Sequence, residues 1–214
     1  MTESDLEALY APPRTPWLRA NMVSTLDGAA TGADGRSGSI NNSVDKKVFD
    51  TLRARADAIV VGAGTARAEG YGEAERPIVA VSRRGDVPDR LRSAQPGKAL
   101  LATCASASGL KEAVEVLGDE HVLVAGEEDV DLPAVVAELV ERGFEELLTE
   151  GGPRLLTDLL ADGLVDELCL TTVPQLLGGE LPRITTGSGL DVRLRPGLLL
   201  EQEGTVLGRW LVER

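Results

Sequence analysis

Short apolar runs alternate with longer amphipathic stretches through most of the chain. Runs over 18–24, 58–61, 78–81, 99–102, 122–125, 146–149 and 167–173 predict strands, and two more are predicted over 198–200 and 206–212. Apolar residues at helical spacing predict helices over 44–56, 109–117, 132–142 and 153–161. The middle of the chain therefore reads β-α-β-α, and its end reads as antiparallel strands. That order predicts one α/β domain over 1–214, with a mostly parallel central sheet, helices on both faces and antiparallel C-terminal strands. Residues 1–15 precede the first strand and are expected to be flexible or peripheral.

The helix predicted over 44–56 carries the stripe Val44, Val48, Leu52 and Ala56, flanked by Phe49, with Asn42 or Ser43 as its N-cap. Arg53 sits one turn beyond Phe49 at the border of this stripe. There it can bury its stem while presenting its guanidinium at the sheet's edge.

Composition narrows the function. An aromatic share of 3% implies a core of Ala, Val, Leu and Ile. A net charge of −13 argues against a nucleic-acid partner, which needs a basic face. One histidine (His121) and two isolated cysteines (Cys104 and Cys169) argue against a protein-built metal site or a Ser-His-Asp triad. No apolar run has transmembrane length, and the acidic N-terminus lacks a signal peptide's basic-then-apolar order, so no membrane association and a cytoplasmic location are expected.

Three glycine-containing turns follow predicted strands. The first, Gly62-Ala63-Gly64-Thr65, lets backbone amides approach a phosphate, although it lacks the third glycine of a dinucleotide fingerprint. That gap and the antiparallel end count against a Rossmann dehydrogenase. The second, Glu150-Gly151-Gly152-Pro153-Arg154-Leu155, fits a pyrophosphate at a helix start, and fits equally a turn that needs glycine for its geometry. The third, Ser82-Arg83-Arg84-Gly85, sets a hydroxyl and two guanidinium groups just past a strand end, an arrangement that resembles a pocket for the 2′-phosphate of NADPH and reads otherwise as solvated surface charge. Asp27 opens a polar, glycine-rich loop and is read first as a turn cap, with proton donation as the alternative.

Taken in order, Ser24-Thr25-Leu26-Asp27-Gly28, Leu52-Arg53-Ala54, Asp57 to Thr65, Arg76-Pro77, Thr149 to Gly152, and Leu164 to Glu167 with Pro174 and Gly178-Gly179 resemble the reductase domain of bacterial riboflavin biosynthesis. The stand-alone actinobacterial type, with Trp17 to Asn21 and Glu69-Gly70-Tyr71, is the most similar. The resemblance spans nearly the whole chain and implies a dihydrofolate-reductase-like fold. It implies NADPH-dependent reduction of a phosphoribosylaminopyrimidinedione to its ribitylamino product, in a homodimer. No zinc-deaminase signature accompanies it, so no deamination is expected.

Carried over by position, Val23, Thr65, Glu69, Ser82, Gly151, Gly152, Arg154 and Leu155 should hold NADPH, and the turns themselves add Gly62, Gly64 and Arg83. Asn21, Ser37, Arg53, Arg76 and Glu150 should face the phosphorylated substrate. Glu150 and Asp27 are the catalytic candidates. Two positions depart from the family's pattern: Asn21 stands where a lysine is frequent, and Ser39 where a tryptophan is. A reductase of a folate-like pterin or another heterocycle is therefore the alternative enzyme, and an NADPH-binding regulatory remnant is the alternative outside catalysis.

Overall fold

The computed structural model describes residues 3–187 and 189–213. Strand β1 (Trp17–Thr25) lies in the interior of the sheet. It is followed by α2 (Ser43–Arg55), β2 (Ala58–Gly62), α3 (Ala63–Glu69), β3 (Ile78–Val81) and β4 (Ala99–Thr103). Then come α4 (Leu110–Leu117), β5 (Val122–Val124), α5 (Leu132–Glu141), β6 (Glu146–Thr149), α6 (Pro153–Ala161), β7 (Glu167–Val173), β8 (Leu194–Gln202) and β9 (Thr205–Val212), with α1 (Glu3–Leu9) preceding β1. Among the described residues the nine strands form one sheet in the order β5-β4-β3-β2-β6-β1-β7-β9-β8. Pairs from β5 through β7 are parallel, while β7–β9 and β9–β8 are antiparallel.

The sheet is covered on both faces, so its inner strands can be apolar on both sides. One core joins Val44, Val48 and Leu52 of α2 to Ile59, Val61 and Ile78. The other joins Leu155, Leu156 and Leu159 of α6 and Val135 and Leu139 of α5 to Ala20, Val60 and Leu100. No helix among the described residues is long and apolar enough to cross a membrane.

The N-terminal segment departs from expectation. Residues 1–2 lie outside the described residues, but Leu6 and Tyr10 belong to the first core, and Tyr10 is 1% exposed. A buried ion network fixes this segment. Glu167 accepts from Arg19 Nε at 2.7 Å and pairs with Arg209 Nε at 2.8 Å. The same two guanidinium groups donate to the carbonyls of Tyr10, Leu9 and Ala11. The apolar segment 164–173 is largely internal, since β7 is hydrogen-bonded between β1 and β9. The β8–β9 ribbon exposes Leu194, Leu199 and Val206, while Leu26, Val124, Leu176 and Leu177 are exposed elsewhere.

Candidate active site

The parallel register builds the site. β2 and β1 flank β6, with Val60 and Ala20 both opposite Thr149. The turns after β2 and β6 therefore emerge side by side at the carboxyl edge, while β1 runs past them and carries Asn21, Met22 and Val23 beyond the end of β6. Gly62 N donates to Gly151 O at 2.7 Å, tying the two glycine turns together. Gly151 has φ +77°, and a Cβ on Gly152 would lie 2.2 Å from Thr65 Oγ1. Each glycine thus has its own reason, one for conformation and one for close approach.

An open cleft of about 920 Å³ lies over these turns, lined by Gly62, Gly64, Thr65, Arg83, Gly152, Arg154 and Leu155 among others. Seven of the expected cofactor residues thus share one surface. No side chain caps α6, and Pro153 occupies its first turn, so first-turn N–H groups at Arg154 and Leu155 and the positive end of the helix face the cleft. Arg83 and Arg154 are both exposed and are paired only loosely, to Asp129 at 3.2 Å and Asp158 at 3.5 Å. These exposed pairs contribute little and leave both cations available to a phosphate.

Behind this cleft is a smaller cavity of about 270 Å³, lined by Asn21, Val23, Thr31, Ser37, Asp45, Phe49, Glu69, Tyr71 and Glu150 among others. The two cavities share Thr65, Gly152, Pro153 and Pro182 as a common border. Val23 and Glu69, expected beside the cofactor's turns, belong to this inner cavity. Glu69 Oε1 accepts from Ser37 N at 2.8 Å and so anchors the loop that closes it.

Glu150 sits at the inner wall. Arg53 donates to both of its oxygens, Nε to Oε1 and Nη2 to Oε2, each at 2.7 Å, and the Tyr71 hydroxyl donates to Oε2. Two ring faces hold the guanidinium: its carbon lies 4.3 Å from the Phe49 centroid and 5.2 Å from that of Tyr71. Tyr71 reaches this position because Gly70, at φ 76°, ends α3 in a left-handed turn, and Tyr71 N then donates to Ala66 O. Burial, and then the neighbouring Glu150 charge, push the Tyr71 hydroxyl pKa well above its ordinary value.

Several expected residues stand elsewhere. Ser82 is buried and its Oγ accepts from Asp86 N at 3.1 Å, so it closes the Arg83-Arg84-Gly85 turn and does not line the cleft. Asp27 is exposed and lines neither cavity. It accepts from the Thr25 hydroxyl, from Leu177 N at 3.0 Å and from Gly178 N at 2.6 Å. Those bonds, the Thr25 hydroxyl's first, lower its pKa and make it a clamp between two loops, which suits a proton donor poorly. Arg53 does not reach the cavity lining, because Glu150 holds its guanidinium. Arg76 donates to Ala54 O at 2.5 Å and lies outside both cavities.

Asp45 and Thr31 were not foreseen. Asp45 follows the apolar stripe residue Val44 and is spaced one turn before Phe49, which also lines the cavity. That i, i+4 pairing was the available signal, although an acid in a first helical turn ordinarily faces water.

Residues 16–204 match the family model described as the RibD C-terminal domain. A protein of Archaeoglobus fulgidus named 2,5-diamino-6-ribosylamino-4(3H)-pyrimidinone 5′-phosphate reductase is 29% identical over 198 residues, covering 84% of this chain and 90% of that one. Among solved structures, a pyrimidine reductase-like protein of Corynebacterium diphtheriae superposes with a TM-score of 0.82 at 25% identity, over 100% of both chains. A dihydrofolate reductase of Enterococcus faecalis, complexed with NADP(H), shares the fold at a TM-score of 0.50 and 11% identity, covering 93% of this chain and 98% of that one.

Proposed function

This chain belongs to the RibD C-terminal domain family, and we propose that it reduces a ribosylaminopyrimidine 5′-phosphate of riboflavin biosynthesis to the ribitylamino product, with NADPH as hydride donor. The observation that carries this reading is the shared border of the two cavities at Thr65, Gly152, Pro153 and Pro182. An extended anionic ligand over the glycine turns would meet a small heterocycle in the inner cavity across that border, and hydride transfer needs just such contact. The relatives' names support the substrate class.

The residues of the larger cleft fit a dinucleotide phosphate. They offer uncapped amides at α6, a surface kept open by Gly152, and two loosely paired arginines. When bound there, NADPH supplies the hydride. The protein's own part is orientation. Glu150 has three of its four acceptor positions filled by Arg53 and Tyr71, leaving one on Oε1 for a ring N–H of the substrate. Arg53 acts as a positioning residue for Glu150. Thr65 and Pro153, which line both cavities, would hold the cofactor and the substrate against each other, and the loop anchored by Glu69 would limit access of water.

Steady-state NADPH oxidation with the ribosylaminopyrimidine phosphate, followed by mass identification of a product richer by two hydrogens, tests the reading. Absence of turnover with that substrate, alongside reduction of a pterin, would transfer the chain to the alternative enzyme class.

A further inference from the structure

Three buried side-chain atoms without a hydrogen-bond partner among the described residues, Asn21 Oδ1, Thr31 Oγ1 and Asp45 Oδ1, belong to residues that line the inner cavity. Asp45 is 3% exposed and stands in the first turn of α2. A carboxylate at that place would ordinarily satisfy a first-turn N–H. Here Asn42 Oδ1 already accepts from Val44 N and Asp45 N, each at 3.0 Å, which leaves the acid unused by its own helix. Burial raises the Asp45 pKa, and hydrogen bonding from Thr171 on β7 opposes that shift.

The surroundings add no cation. Glu69 and Glu150 are the other charged side chains in the lining, already engaged with Ser37 N and with Arg53 and Tyr71. No lysine, arginine or histidine is among the lining residues. The free atoms are chiefly acceptors: a carboxylate and an amide oxygen accept only, and a hydroxyl does either. Such a wall is complementary to a ligand edge made of adjacent N–H groups and repels a carbonyl oxygen placed against it, since a buried acceptor left unpaired is costly.

We propose that Asp45, assisted by Asn21, is the specificity-determining residue of this site and selects a pyrimidinone ring bearing a 2-amino group over the 2-oxo ring of a pyrimidinedione. The inference rests on the function proposed above and refines it. A 2-aminopyrimidin-4-one presents its ring N–H and exocyclic amine side by side, as two donors for the Asp45 and Asn21 oxygens. The pyrimidinedione puts an oxygen where the amine would stand.

The test compares kcat/KM for the 2-amino and 2-oxo ribosylaminopyrimidine phosphates in the wild-type protein and in Asp45→Asn, with NADPH affinity and thermal midpoint measured on both proteins. A wild-type preference for the 2-amino ring of at least about tenfold is expected. Asp45→Asn is expected to lower turnover of that ring by about tenfold or more, chiefly through KM, and to narrow the preference, while NADPH affinity and thermal midpoint stay near wild type. Equal use of the two rings by the wild-type protein, or preference for the 2-oxo ring, would overturn the assignment and leave the reductase reading standing. An unchanged ratio in the variant, or an equal loss on both rings with a lowered midpoint, would likewise reduce Asp45 to a structural residue. Turnover of neither ring would overturn the function itself and the inference with it.

Discussion

Replacing Arg53 with alanine isolates the energetics of the inner wall. The Glu150 side chain is 3% exposed and that of Arg53 28% exposed, so the pair is mostly desolvated and weakly screened. Removing one partner of a buried pair costs about 3–5 kcal/mol, because the remaining charge stays buried and uncompensated. Two features reduce that here: Arg53 is partly hydrated, and the Tyr71 hydroxyl still donates to Glu150 Oε2. About 2–3 kcal/mol is therefore expected, at the level of two charge-assisted hydrogen bonds less their solvation. Denaturant unfolding of wild type, Arg53→Ala, Glu150→Gln and the double variant closes a thermodynamic cycle. With the neutral amide in place, loss of Arg53 should cost much less, giving a coupling energy of about 1.5–2.5 kcal/mol. In parallel, kcat in Arg53→Ala should fall further than KM rises, since the substrate N–H acceptor loses its fixed position. An additive cycle, or a variant whose only defect is a raised KM for the phosphorylated substrate, would refute the positioning role and return Arg53 to a phosphate contact.

Other expectations follow from the same geometry. Gly152→Ala places a methyl group 2.2 Å from Thr65 Oγ1, so NADPH affinity should drop about tenfold or more, and adding Thr65→Ala should recover part of it; calorimetric titration decides. Arg83→Ala should weaken NADPH binding more than NADH binding, and equal losses would remove Arg83 from the 2′-phosphate. Glu167, whose side chain is 0% exposed, pairs with both Arg19 and Arg209, so Glu167→Ala leaves two largely buried guanidinium groups without their carboxylate, and about 3–5 kcal/mol of stability should go, read as a thermal midpoint lower by about 10 °C. A homodimer, expected from the family resemblance, would bury Leu194, Leu199 and Val206, so Leu199→Glu should shift sedimentation from dimer to monomer, and a wild-type monomer would dismiss that contact.

The strands were legible because buried parallel strands are written as apolar runs bounded by breakers, and seven predicted runs coincide with β1–β7 to within a residue or two. Helix α3 was not foreseen: it is seven residues of mostly small side chains, too short for periodicity to register. Strand β8 was read only over 198–200, because Pro196 and Gly197 interrupt it, the register shifts between Pro196 and Leu198, and its outer side chains are exposed. The glycine turns were legible because their residue types answer to local backbone geometry. Partners distant in sequence were not. Arg53 stood out at the border of its helix, but nothing in its neighbourhood indicates that Glu150, 97 residues later, would occupy its guanidinium. Ser82 shows the converse, since a short polar side chain beside a turn satisfies the turn's own amides before any ligand's, whereas Asp27 is taken by the amides of Leu177 and Gly178 in a distant loop, which its own neighbourhood does not indicate. Asp45 was hidden because a charge in the first turn of a helix has an ordinary use there, and only the tertiary fold shows that Asn42 has already filled it.

On the proposed function a hydride passes directly between the occupants of the two cavities across their shared border. NADPH carrying deuterium at each C4 position in turn, incubated with the ribosylaminopyrimidine phosphate in ordinary water, measures this most directly. One of the two labelled forms should deliver its deuterium to a carbon of the ribitylamino product, where it does not exchange. Product formed without deuterium from either form would contradict the account, because the reducing equivalents would then have reached the substrate by a route that avoids the Thr65–Gly152 border.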